Sequence, residues 1–197
     1  TPAEVRGTFD VVLLAVKAQH TGSALQVLEG HLSEDGFVVS LQNGLDTKPF
    51  IAQRIGAERT IGAMVRLAAA YRGPGHVTQN TPGTIVVGEL DGRITPRLQR
   101  LQMLLDKVTP TSCTDNIWGW IWAKTVYGAF LATVSTVDAT VAEVLELPGT
   151  EEVVIQAMTE CATVAAANGV RLEAFDFLDP TALLGNTSRD RDRVKQD

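Results

Sequence analysis

Cysteine and histidine are scarce in this chain of 197 residues, with two of the first and three of the second. Cys113 and Cys161 cannot staple a fold; they read as two free thiols in a reducing compartment, with one disulfide as the alternative. His20, His31 and His76 stand at no ligand-type spacing from either cysteine, so no metal site is expected. Positive charge is thin as well. Seventeen Lys and Arg against 23 Asp and Glu leave a formal net charge of −6, without a basic cluster. That excludes nucleic acid and anionic membrane surfaces as general partners, since both are bound through clustered cations. The one apolar stretch that approaches membrane length, Ile117 to Val137, carries Lys124 and scattered Gly, Thr and Ser, which favours a helix buried in protein. Thr1 to Arg6 has no signal-peptide pattern, and a cytoplasmic protein is expected. Also missing is any Gly-x-Gly-x-x-Gly. Gly73-Pro74-Gly75 lacks the third glycine and precedes a strand rather than a helix.

What is present is ordinary in bulk, 45% hydrophobic and 20% charged, and enough for one large domain or two small ones. Phe9 to Val16 is a continuous apolar run with β-branched residues, which predicts a strand buried on both faces. A helical pattern from Thr21 to Leu32, a strand at Phe37 to Leu41, a short helix from Pro49 to Ile55 and a strand at Thr60 to Val65 follow. Such wiring predicts an α/β fold with a parallel sheet. His76 to Gln79 and Thr84 to Val87 read as two short strands paired around Thr81-Pro82-Gly83. Pro96 to Lys107 is an amphipathic helix with a stripe of Leu98, Leu101, Leu104 and Leu105, and Thr111 to Thr114 a short strand or linker. From Asp115 onward the pattern is helical, with further helices at Ala142 to Leu147 and Glu151 to Asn168, the last stopped by Asn168-Gly169. The division is therefore an α/β part over 1–114 and a helical part over 115–197. A mononucleotide-binding α/β domain begins with a strand, a glycine-rich turn and a helix. The expectation is that roughly 60 to 80 residues, two βαβ units at about 30 each, precede this sequence. Asn186 to Asp197 alternates charges and reads as exposed or disordered.

Three positions invite chemistry. Lys124 sits among Trp118, Trp120, Trp122 and a run of aliphatics, where desolvation favours the neutral amine and eases proton exchange near neutral pH. It is either a catalytic acid or the wet edge of an amphipathic core helix. Lys17 and Asn43 each follow a strand, on the rim where parallel sheets bind ligands. Each also has a plainer reading, a solvated lysine and an Asn-Gly turn.

Taken in order, several segments resemble the ketopantoate reductase (2-dehydropantoate 2-reductase) family. They are Asp10 to Ala18 with its Val-Lys-Ala, Leu41 to Leu45 with its Gln-Asn-Gly, the Gly73 to Val77 turn and strand, Val86-Val87-Gly88, and Asp115-Asn116-Ile117 with Trp122-Ala123-Lys124. The likeness runs over nearly all of Phe9 to Leu147. It implies the remainder of a Rossmann-type parallel sheet that binds NADP, followed by an all-helical domain like the C-terminal domain of 6-phosphogluconate dehydrogenase. The active site is expected in the cleft between them. It also implies hydride transfer from NADPH to the keto group of a 2-oxo acid, ketopantoate, giving pantoate for pantothenate synthesis. On this likeness Lys124 is the proton donor and touches substrate, Asn43 touches both nicotinamide and substrate, and Lys17 lies near the cofactor with the backbone of Ala69 and Ala70. A homodimer through the helical part is the expected assembly.

One departure bears on substrate. The family pattern places asparagines one and two turns after the lysine, where this chain has Gly128 and Ala132. Ser135, further along nearly the same face, is placed to substitute in part, and Ser188 is assigned to substrate contact, against a solvated tail serine. The alternative function is a reductase-like scaffold that acts on a different 2-oxo acid, or binds a nucleotide or partner without turnover.

Overall fold

The computed structural model describes residues 4–175 and 178–185. The chain divides into two compact units between Ile117 and Trp118. In the first, β1 (Phe9–Leu14), β2 (Leu32–Ser40), β3 (Thr60–Gly73), β4 (His76–Glu89) and β5 (Thr111–Cys113) form one sheet in sequential order. The β1–β2, β2–β3 and β4–β5 pairs are parallel and β3–β4 is antiparallel. Helices α1 (Thr21–Leu28) and α2 (Thr47–Ile55) connect the parallel strands, and α3 (Pro96–Leu105) leads into β5. This is the α/β fold that the alternating pattern predicts.

Alternation across the pleat decides which helix covers which face. Phe37, Val39, Ile61, Ala63, Ile85 and Val87 project to one side and pack on Leu98, Leu101 and Leu105 of α3. Leu14 and Val38 belong to the other side, against Leu25 of α1 and Ile51 of α2. A fully buried side chain of this size contributes about 1.5–3 kcal/mol, and Val39, Ile61, Val87 and Leu98 are all completely buried. α3 starts cleanly because the Thr95 hydroxyl accepts from Leu98 N at 3.2 Å and Pro96 occupies the first turn, where its missing N–H costs nothing.

Three expectations are corrected. β1 is not buried on both faces among the described residues: Phe9 and Leu13 are 42% and 48% exposed. An apolar run reports β propensity but not how many neighbours cover the strand. Nor do two short strands pair around Thr81-Pro82-Gly83. β4 is continuous, and the turn of the hairpin is Pro74-Gly75, between Gly73 and His76. Pro82 is accommodated because the β3–β4 register shifts between Arg66 and Ala68. A Cβ on Gly83 would lie 1.9 Å from the Arg66 carbonyl oxygen, so only glycine fits there. The sheet is accordingly mixed rather than parallel throughout. Finally, α1 ends at Leu28 and β2 begins at Leu32, with an irregularity between Phe9 and Val11 absorbing the early start.

The second unit is helical. It comprises α4 (Ile117–Val134, whose first residue closes the α/β unit), α5 (Val141–Glu146) and α6 (Thr150–Ala167). Val126 packs on Ala162, Ala165 and Leu172, and Val134 on Val144 and Val154. A capping box at Thr140 and Glu143 starts α5. Tyr127 stacks on Phe130 at 5.7 Å and meets the edge of Phe175 at 6.2 Å, a core role for that tyrosine. No helix among the described residues is long and apolar enough to cross a membrane.

Candidate active site

Where β1 and β2 end, their loops are tied to one another. Lys17 leaves β1 in an extended conformation (φ −61°, ψ 148°) and opens a single helical turn at Ala18–His20. The Val16 carbonyl before it accepts from Gln42 Nε2 at 2.8 Å. The Ala18 carbonyl after it accepts from Thr21 Oγ1 at 2.7 Å, and that hydroxyl in turn accepts from Gln42 Nε2 at 2.8 Å. Gln42 is buried, so its amide is a structural strut between the two strand ends. Lys17 and Asn43, flanked by these anchored groups, are both exposed. Gly44 follows Asn43 with φ 90°, a left-handed turn that any other residue enters only at a cost.

The Asn43 loop has a second anchor. Lys48, in the first turn of α2, is completely buried, and its Nζ donates to the carbonyls of Gln42 and Gly44. Beside these loops lies a cavity of about 370 Å³ lined by Ala18, Gln19, Thr21 and Gly22 on one side and Asp46, Thr47 and Phe50 on the other. Thr47 lines it, and among the described residues its buried hydroxyl lacks a hydrogen-bond partner. Buried hydroxyls are normally paired, so this one marks a place suited to a polar ligand group.

Ala69 and Ala70 stand outside this network. They pair with Gln79 and Thr78 on the β3–β4 ribbon, well beyond Gly62, the last β3 residue paired with β2. In the helical unit Lys124 is half-buried on α4, and burial pulls its pKa below the ordinary lysine value of 10.5. The neighbouring Thr125 hydroxyl donates back to the Ile121 carbonyl at 2.9 Å. Gly128, Leu131 and Ala132, one and two turns on from Lys124, are exposed, and a Cβ on Gly128 would meet nothing within 4 Å. Ser135 lies just past the end of α4, exposed, its hydroxyl donating to the Ala132 carbonyl at 2.8 Å. Ser188 lies outside the described residues. Gln42, Thr21, Thr47 and Lys48 were not singled out from sequence. Of these only Gln42 carried a signal, its place in Gln-Asn-Gly.

The chain thus pairs a Rossmann-like sheet, with a lysine and an asparagine on its strand-end loops, with a helical unit. The family model of ketopantoate reductase PanE/ApbA matches residues 1–92, and the model of that family's C-terminal part matches 116–197. A 2-dehydropantoate 2-reductase from Halobacterium salinarum is 25% identical over 100% of this chain and 65% of its own length. The crystal structure of a PanE/ApbA family ketopantoate reductase from Ralstonia eutropha JMP134 superposes with a TM-score of 0.74 at 28% identity, over 88% of this chain and 56% of that one. D-mandelate dehydrogenase, solved with NADH, shares the fold at a TM-score of 0.74 and 22% identity, over 90% of this chain and 58% of that one. The chain belongs to the ketopantoate reductase family. It spans about two thirds or less of the length of these relatives.

Proposed function

We propose that this chain is part of an NADPH-dependent reductase of a 2-oxo acid, with ketopantoate as the first substrate to test and Lys124 as the proton donor. The observation that carries the reading is Lys124 itself, a lysine whose pKa burial lowers, on an apolar helix at the family's Trp-x-Lys position. Reduction of a ketone builds negative charge on its oxygen, and a desolvated ammonium offers both a compensating charge and a proton. Lys124 Nζ gives that proton to the oxygen. Asn43 would hold the substrate and the nicotinamide side of the cofactor. Lys17 supplies positive charge near the cofactor, with the backbone of Ala69 and Ala70 as further contacts.

The residues present fit a nicotinamide dinucleotide, because the unpartnered Thr47 hydroxyl and the Asp46 that lines the same cavity suit a ligand rich in hydroxyl and amide groups. When bound, the reduced nicotinamide supplies hydride. The test is the rate of NADPH and NADH oxidation by the full-length protein with ketopantoate and a panel of 2-oxo acids. Turnover that requires NADPH supports the reading, and tight cofactor binding without turnover of any 2-oxo acid contradicts it.

A second reading of the substrate rests on Gly128 and Ala132. The open space at Gly128 and the lack of any amide at either position favour a 2-oxo acid with an apolar side chain over the hydroxylated ketopantoate. Under this reading the apolar acids outrun ketopantoate in kcat/KM. The double variant Gly128→Asn/Ala132→Asn then gains ketopantoate activity roughly tenfold or more, since each net hydrogen bond is worth about 1 kcal/mol. No gain excludes these two positions as the determinants of substrate choice.

A homodimer remains part of the proposal. Val153 and Val164 on α6 and Leu145 on α5 are exposed apolar residues of the helical unit that an interface would cover. Sedimentation of the full-length protein is expected to show a dimer; a monomer at the highest concentration reached removes it.

A further inference from the structure

Lys48 heads the fully buried side chains by volume, and no step of the proposed reaction uses it. Its place is unfavourable for a cation in two ways. An ammonium taken out of water demands acceptors in return. The first turn of α2 also presents the positive end of the helix dipole to it. A methionine of similar length would fill the space with neither cost. What the ammonium does, and methionine cannot, is reach back across the preceding loop. Nζ donates to the Gln42 carbonyl and, at 3.2 Å, to the Gly44 carbonyl, the two that flank Asn43.

Holding the Gln42 carbonyl sets the peptide plane that enters Asn43. Holding the Gly44 carbonyl sets the plane that leaves the left-handed turn at Gly44. The Gln42 side chain, fixed on Val16 and Thr21, completes the restraint from the β1 side. Asn43 therefore projects from a backbone anchored before and after it, while remaining exposed itself.

We infer that Lys48 is a positioning residue: its buried ammonium clamps the two carbonyls that flank Asn43 and so holds the Asn43 carboxamide in the orientation the reduction requires. The inference rests on the role given to Asn43 above. Its test is a double-mutant cycle in the full-length protein, with Lys48→Met, Asn43→Ala and the pair, read both as steady-state kinetics and as backbone hydrogen exchange. Lys48→Met is expected to lower kcat/KM on the order of a hundredfold through misplacement of Asn43. In the Asn43→Ala background the same change costs less than about twofold, because the group it positions is gone. Lys48→Gln, which keeps a shorter donor, retains more rate than Lys48→Met.

Amides of 43–45 exchange faster in Lys48→Met, while those of Val38 and Val39 in β2 keep their protection. Losses that multiply across the cycle, or exchange at 43–45 that matches the wild type, overturn the inference. A wild-type protein that reduces no 2-oxo acid defeats the reading of the reaction instead, and the exchange measurement still decides the clamp.

Discussion

Lys124→Met lowers kcat for reduction on the order of a hundredfold or more, the usual worth of a positioned general acid, while the fold stays intact. The fold is spared because of what surrounds the Lys124 ammonium. Lys124 is half-buried and its pKa is lowered by desolvation, so the protonated side chain is a burden on the folded state rather than a support. Because the folded pKa lies below 10.5, that burden is fully present at low pH. It disappears as pH rises through the window between the lowered pKa and 10.5, where the unfolded chain holds the proton and the folded one has lost it. Methionine removes the burden at every pH, so the variant's thermal midpoint holds or rises below that window. A loss of rate accompanied by unfolding would place Lys124 in the core as a structural residue. A variant that keeps most of its kcat removes the proposed proton donor.

Arg97→Met destabilises the protein by about 3–5 kcal/mol, the cost of stranding a buried charge by removing its partner. Glu89 is only 2% exposed and accepts from Arg97 Nε at 2.8 Å, Arg97 Nη2 at 2.5 Å and Thr95 Oγ1 at 2.6 Å. Glu89 holds the Arg97 pKa above its ordinary value, so the guanidinium stays charged, and it also stacks 5.1 Å over the Phe37 ring. Without it the carboxylate keeps the Thr95 hydroxyl as its hydrogen-bond donor at the start of α3. Replacing both members, Arg97→Met with Glu89→Leu, is expected to recover much of the loss, because no buried charge is then left behind. The pair Arg54–Glu29, 2.8 Å apart with both side chains more than a third exposed, offers the contrast. Arg54→Met costs less than about 1 kcal/mol. Urea denaturation of the variants checks all of these, and equal effects at Arg97 and Arg54 would mean that burial does not decide the strength of the pair.

The order of elements in the α/β unit was legible because β1, the Phe37–Val39 part of β2 and the start of β3 are apolar runs with β-branched residues. The ends of β1 and β2 could therefore be located, and with them Lys17 and Asn43. The continuity of β4 was not legible. Thr81-Pro82-Gly83 has the chemistry of a turn, and only its pairing with β3, where the register shifts, reveals it as an interruption within a strand.

Lys48 was missed because a lysine before Pro49 reads as solvated. It turns inward only because α2 begins at Thr47 and brings the ammonium under the Gln42 and Gly44 carbonyls. The strut made by Gln42 joins residues 21 and 26 positions apart, a separation at which local patterns carry no information. Lys124 was conspicuous for the opposite reason, as a single charge in an apolar run. The structure adds the burial that lowers its pKa.

The pH dependence of kcat for reduction, compared between the wild type and Lys124→Met, reads the titrating group itself. A group that must be protonated to work, with a pKa lowered by burial, predicts a wild-type rate that falls as alkali is added, with a midpoint below 10.5. In the methionine variant that limb is gone and the residual rate is flat across the same range. An identical alkaline limb in both proteins would contradict a proton from Lys124.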